Sequence, residues 1–316
     1  MLCSPQLRCE ATAAPVLVLL EARPGRQLRS DPTHTTSIRR GLLTAWNQRM
    51  RELQQAIYSF LVESDGLDLR PAGSLVLHAG EFGFNTDPQK LEAFNAWFAQ
   101  QVARRVFLVP AGTPGATPWV AEYVESAYRR GLVHAYIATA ALRERPLPRT
   151  VIEMTPLEEF LISSFAMPVT VEKVRLLYLR TWEELKGVTS EMGVHMSRIL
   201  AQGLVDGTGP LALARQMNAE IRGLSRVRAL RIARTEIIRA HAEGQLDAFE
   251  RLGVEQLGLL AEWLTAGDDH VCPRCDARAG KTYTVAQARG LIPLHPNCRC
   301  TWIPKLAQTI SPKTKT

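Results

Sequence analysis

The residues with the most chemistry to offer lie between Trp263 and Pro304. Four of the six cysteines fall there, Cys272 and Cys275 as a C-x-x-C, Cys298 and Cys300 as a C-x-C that begins three residues after His295. Two thiolates at the first spacing can grip one ion from a tight turn, which Pro273 helps to set. A second pair arriving from a distant turn closes a tetrahedron. Cys272, Cys275, His295, Cys298 and Cys300 are therefore the metal-ligand candidates, one more than a closed structural zinc site needs. His270 is a weaker alternative donor, lying only two residues before Cys272.

Other chemistries fit the same residues less well. The Cys272 to Cys275 spacing suits a redox pair, but that reading wants a βαβ setting, and a long helical pattern precedes it instead. Disulfides are the other alternative. A catalytic zinc needs an open coordination position and a nearby base. Asp268, Asp269 and Glu262 are close in sequence, yet the surplus of sulfur favours a closed site. Elsewhere no Ser/His/Asp or Cys/His set follows from spacing, and no glycine-rich phosphate loop is present. Arg234, Thr235 and Glu236 name the residue types of ADP-ribosyl transfer, but they are consecutive in a helical pattern. The expectation is a protein that is not an enzyme.

The elements that must position these residues read as mainly helical. At 316 residues the chain has room for two domains, and 46% apolar with 22% charged residues is an ordinary globular balance. A formal charge of +7 favours acidic partners, whether DNA or an acidic protein face. No apolar run has the length of a membrane span. Residues 1–30 read as a loose tail in which Cys3 and Cys9 are free thiols. Its apolar stretch Ala11 to Leu20 is broken by Pro15 and lacks a cleavage site.

Asp31-Pro32 predicts the first helix start, with Ile38, Leu42, Trp46, Met50, Leu53, Ile57 and Phe60 as one apolar stripe. Residues 65–86 read as a loop with a hairpin near Ser74 to His78. Asp87-Pro88, Thr117-Pro118 and Thr155-Pro156 repeat the start device. Pro146 to Pro168 reads as a hinge between two helical halves, an N-terminal domain over 31–168 and a second over 169–306, before a tail at 307–316. After Val169 the helices are expected to shorten, with Gly187, Gly193, Gly203, Gly207, Gly209 and Gly223 at or near their ends. A further helix runs from about Ser225 to Leu252. Gln256 to Leu264 reads as a strand paired with Cys300 to Pro304. The helix arginines Arg222, Arg226, Arg228, Arg231, Arg234 and Arg239 read as a solvated face with pairs to Glu236 and Glu243, with phosphate or acidic-protein contact as the alternative. The fold class is thus mainly α with a small β-containing zinc module at the C-terminus.

Trp263, Asp268-Asp269, Cys272-Pro-x-Cys275, Gly280-Lys281 and His295-Pro-Asn-Cys-Arg-Cys300 together resemble the C-terminal signature of the phage Mu F-like head morphogenesis proteins, the minor head proteins of tailed phages. Ile232-Ala-Arg-Thr-Glu236 with Ala240 and Gly244 resembles the helix preceding it, and the likeness extends over about 170–305. Looser likenesses upstream rest on Asp31 to Thr36, on Phe94 and Trp97, and on Ala127 to Gly131. The resemblance implies a minor capsid protein of the virion, in the head interior or at the portal vertex, assembled in the host cytoplasm. Its implied partners are the portal, the capsid and scaffold proteins and packaged DNA, with a share in packaging or ejection. A zinc-dependent nuclease or a DNA-binding zinc module is the alternative. Some members carry an extra C-terminal toxin or nuclease domain, whereas this chain ends shortly after Cys300.

Overall fold

The computed structural model describes residues 31–70, 86–108, 117–143 and 156–307. The tail with Cys3 and Cys9, the hairpin expected near Ser74 and the whole Pro146 to Thr155 stretch lie outside them. In chain order the elements are α1 (Thr36–Tyr58, continued by a wide turn Ser59–Glu63), α2 (Asp87–Gln101), α3 (Ala121–Arg143), α4 (Leu157–Ala166), α5 (Pro168–Val205) and α6 (Pro210–Arg251). Then follow β1 (Leu259–Leu264), the single turn α7 (Pro273–Asp276), β2 (Thr282–Tyr283), the single turn α8 (Val285–Ala288) and β3 (Thr301–Leu306). The protein is mainly α with one small antiparallel sheet at its C-terminal end, as the sequence predicts.

Two expectations need correction. The helices after Val169 do not shorten: α5 runs 38 residues and α6 runs 42. Gly187, Gly193, Gly203 and Gly223 sit inside them rather than at their ends. Glycine lowers helix propensity by only about 1 kcal/mol, which burial of a long apolar face outweighs. Gly203 also has a packing use, because a Cβ there would overlap the side chain of Leu213. The second correction is the start of α1, which lies at Thr36 rather than beside Asp31. The Asp31 carboxylate instead accepts from Thr33 N (3.1 Å), Thr33 Oγ1 (2.6 Å), Thr36 Oγ1 (2.8 Å) and Arg39 Nη2 (2.8 Å), which ties down a turn ahead of the helix.

The described residues form two compact units, one drawn from Met1–Arg39, Tyr123–Leu177 and Arg234–Thr316, the other from Arg40–Glu122 and Tyr178–Ala233. The core of the latter follows from the helical periods. Trp46, Met50, Leu53 and Ile57 of α1 are buried with Phe94 and Phe98 of α2, with Trp182, Leu185, Met192, Met196 and Leu200 of α5, and with Ala214, Met217 and Ile221 of α6. The Trp46 indole N–H donates to Ser225 Oγ at 2.7 Å, so the largest side chain enters the core with its one polar atom satisfied.

The other unit carries the sheet. Its helices α3 and α6 cross at two glycines: a Cβ at Gly131 would overlap the His241 carbonyl, and one at Gly244 would overlap that of Tyr128. Beside this crossing three imidazoles stack edge to face, His34 on His134 at 5.3 Å and His134 on His241 at 5.2 Å between ring centres. His241 is fully buried, and neither of its ring nitrogens has a hydrogen-bond partner among the described residues. Burial holds His134 near a pKa of about 3 and His241 well below the usual 6.5, helped by the neighbouring histidines and Arg130. Both are neutral in the fold, while the unfolded chain takes up their protons near pH 6.5. Their contribution to stability is thus present above that pH and is lost as pH falls below it. The expected slope is up to about 1.4 kcal/mol per pH unit for each ring. Denaturant midpoints measured from pH 7.5 to 5 should fall, and the double change His134→Phe with His241→Phe should flatten the curve. An unchanged slope in that variant would assign the acid sensitivity elsewhere.

The sheet order is β2-β1-β3. β1 pairs with β3 from Leu259↔Leu306 to Leu264↔Thr301, the partnership expected from the sequence, although β1 begins at Leu259 rather than Gln256. β2 was not anticipated, since two residues carry no periodicity. Trp263 and Trp302 face each other across the register, ring centres 5.3 Å apart, and both are buried. On the outer side of β3 the Gln245 side chain of α6 donates to Trp302 O (2.8 Å) and accepts from Trp302 N (3.1 Å) and Thr301 Oγ1 (2.8 Å).

Candidate metal centre

The donors are carried on turns that the sheet and α6 hold in place. β1 ends at Leu264, and the chain turns through Gly267 and Asp268 into α7, whose N-cap is Cys272 and whose first helical residue is Pro273. Proline is pre-set for that position, and the backbone N–H of Cys275 returns to Cys272 O at 3.0 Å, so both sulfurs leave one compact turn. Gly280, at φ 76°, returns its N–H to Trp263 O at 2.9 Å and leads into β2. A capping box follows: Gln287 N donates to Thr284 Oγ1 and Thr284 N to Gln287 Oε1, at 3.2 and 3.0 Å. The last turn holds His295, Cys298 and Cys300. It is closed by Asn297 in the left-handed region (φ 65°), whose N–H donates to Thr235 Oγ1 of α6 at 3.3 Å.

These turns bring all five candidate donors together in two overlapping groups. Cys272, Cys275 and His295 form one and Cys275, Cys298 and Cys300 the other, with ligand atoms inside each group within 4.8 Å of one another. His295 Nε2 lies 3.2 Å from Cys272 Sγ and 3.1 Å from Cys275 Sγ, and Cys275 Sγ lies 3.8 Å from Cys298 Sγ. Metal–sulfur bonds of about 2.3 Å put two thiolates of a tetrahedron about 3.8 Å apart. The observed sulfur spacing matches that edge and is far too long for a disulfide, and all four cysteines are free thiols. His295 Nδ1 lies 2.8 Å from Pro296 O, which fixes the ring so that Nε2 faces the sulfurs. A hollow of about 20 Å³ opens among Cys272, Cys275, His295 and Cys300, room for a single ion. His270 lines it as well, but belongs to neither donor group.

The sulfurs are poised for a cation. Hydrogen bonding from Cys300 draws the Cys298 thiol down to about 5, while burial and then the Cys298 charge push Cys275 up to about 12. Cys300 is raised by its bond to Cys298 and by burial, and backbone N–H donation from Cys275 lowers Cys272. Several thiolates this close repel one another, so part of the cluster keeps its protons. A divalent cation takes the place of those protons and satisfies the same sulfur lone pairs. The donor set therefore fits a metal ion.

Two of the three neighbouring carboxylates, Asp268 and Glu262, are otherwise engaged, whereas Asp269 is exposed. Asp268 receives both Arg299 Nη atoms, at 2.5 and 2.6 Å, and this pairing holds it below the usual carboxylate range. Glu262 pairs with Lys305 at 2.6 Å. Neither is a free base beside the donors. Among the helix arginines, Arg239 pairs with Glu236 as expected, whereas Arg228 reaches Glu191 of α5 and Glu243 is taken by Arg289.

Arg289 is the residue that sequence reasoning missed. It leaves the end of α8 and meets Glu243 (3.2 Å), Asp247 (2.8 Å) and Glu250 of α6, while Lys173 and the Tyr128 hydroxyl also reach Asp247. Burial opposes its charge, but Asp247 and the two glutamates raise its pKa on balance. An isolated arginine has no spacing signal; only the i, i+4, i+7 acids on α6 hinted at a receiver. Arg289→Met is expected to lower stability by about 1–2 kcal/mol and to speed amide exchange around β2 and α8 without loss of metal. Unchanged exchange there would remove the role of Arg289 as an anchor for these turns.

No helix among the described residues is long and apolar enough to cross a membrane. Neither the curated proteins nor the solved structures contain a match to this chain. Residues 195–303, which include every donor of the cluster, match the family described as Phage Mu protein F like protein, the family that the sequence resembles.

Proposed function

We propose that this chain is a minor head protein of a tailed phage that acts in procapsid morphogenesis by associating with the portal, in a virion that packages and ejects its DNA through that vertex. The observation that carries the reading is the family match over 195–303, which contains the whole Cys/His cluster. In this reading zinc, held by four of Cys272, Cys275, His295, Cys298 and Cys300, is structural: it crosslinks turns that have few apolar residues of their own. The helical region 31–168 is proposed to supply most of the portal-docking surface, with the basic charge tuning association.

Co-expression with the portal protein of the same phage tests it. A stable co-purifying complex is expected, with about one zinc per chain by elemental analysis. A chain that elutes apart from an assembled portal oligomer at low and moderate salt would refute portal association. Metal-free protein prepared without chelator would refute the zinc assignment independently.

A further inference from the structure

The N-terminal part of α6 presents a face to solvent that no described element covers. Ala212, Ala219, Gly223 and Leu230 recur at steps of seven and four along it, and all are exposed. Val227 lies beside them with 65% of its surface free, and Leu230 keeps 38%. A Cβ at Gly223 would meet nothing within 4 Å, so this glycine serves no packing inside the protein. Alanine and glycine at this spacing make a shallow seam along which a second helix backbone can approach closely.

Charge distinguishes the two margins of this seam. Arg215, Arg222 and Arg226 fall within about 40° of one another around the helix, at 100° per residue. All three are exposed, and none has a carboxylate partner among the described residues. Their neighbours behave differently: Arg228 is paired with Glu191 at 2.7 Å, and Glu220 with His195 at 2.7 Å. One margin is thus a row of uncompensated guanidinium groups beside an apolar strip.

We infer that this face of α6 docks an amphipathic helix of another protein, with small or apolar residues on the seam and Asp or Glu opposite Arg215, Arg222 and Arg226. A second copy of this chain is disfavoured, because its matching face would bring arginine against arginine. Nucleic acid would use the arginines, but phosphates gain nothing from Val227 and Leu230 or from a seam without side chains. An acidic helix uses both features, with apolar contact for affinity and ion pairs for register. The inference stands apart from the portal assignment, since it follows from this face alone.

Panning a displayed library of 20-residue helical peptides against the full chain tests it. Enriched sequences should carry acids at helical spacing beside small or apolar positions. Their affinity, read by fluorescence anisotropy, should fall at least tenfold in Arg222→Glu/Arg226→Glu. Gly223→Gln should lower it similarly, because that substitution fills the seam without touching the fold. Failure of enrichment, enrichment of basic peptides, or binding indifferent to Gly223→Gln would overturn the inference. Binding of a 20-base-pair duplex lost with the arginines but retained in Gly223→Gln would make the face a nucleic-acid surface instead. A dimer in sedimentation equilibrium that dissociates in Gly223→Gln would make it a contact between copies.

Discussion

Cys275→Ser is expected to empty the metal centre and unfold the turns between β1 and β3, a larger effect than any other single change in the cluster. Cys275 is the donor common to both ligand groups, so its loss takes a ligand from each of them. It is also buried, and serine places a harder, shorter donor where a thiolate had spanned to Cys298. Structural zinc sites contribute about 10 kcal/mol or more of binding free energy that is also folding energy, and one lost ligand forfeits several of these. The variant should release metal to a colorimetric chelator at once and be cleaved rapidly by protease between residues 265 and 300. Cys3→Ser should behave as the parent protein does. Equal protease resistance in the two variants would show that the turns stand without the ion.

Gly244→Ala should cost about 3 kcal/mol or more, although it adds one methyl group. The obstacle is backbone: the new Cβ meets the Tyr128 carbonyl of α3, and the same crossing places Gly131 against the His241 carbonyl of α6. Side chains can turn aside, but two helix backbones separate only by moving whole helices and opening the core around Tyr128, Leu132 and Phe249. Gly187→Ala and Gly223→Ala are the matched controls, since neither would meet anything, and each should gain about 1 kcal/mol from helix propensity. Denaturant midpoints for the four alanine variants, with Gly131→Ala as the reciprocal test, should divide into two destabilised and two stabilised. A neutral Gly244→Ala would mean that the helices cross more loosely than described.

The contrast among these glycines shows what the sequence could and could not convey. The α1 stripe of Leu42, Trp46, Met50, Leu53 and Ile57 was legible because one helix face repeats in sequence, and every one of these residues is buried. The metal donors were legible for a related reason, since each pair is local and only the meeting of the pairs is long-range. Glycine is ambiguous. Gly203 reads as a helix end, yet it lies inside α5 against Leu213, and Gly244 lies inside α6 against the Tyr128 backbone; only the fold supplies those neighbours. Burial also departs from apolar character at Leu176 and Val227, which stay 59% and 65% exposed on their long helices. A long helix drifts relative to its neighbours, so one apolar stripe does not stay inward over ten turns. The site's outer supports were invisible, because the Arg289 cluster and the Arg299 to Asp268 pair join residues on elements whose proximity has no periodic trace.

The amide of Gln245 satisfies both the N–H and the C=O of Trp302 on the open side of β3, as a further strand would. That margin would otherwise offer unpaired backbone groups beside two buried tryptophans, the kind of template that recruits strands from other molecules. A helix side chain closes it at Trp302. For a protein whose proposed task requires many neighbours at high local concentration, the consequence is a sheet protected against stacking with copies of itself. Gln245→Leu should therefore show itself first as concentration-dependent aggregation of a protein that still binds its metal.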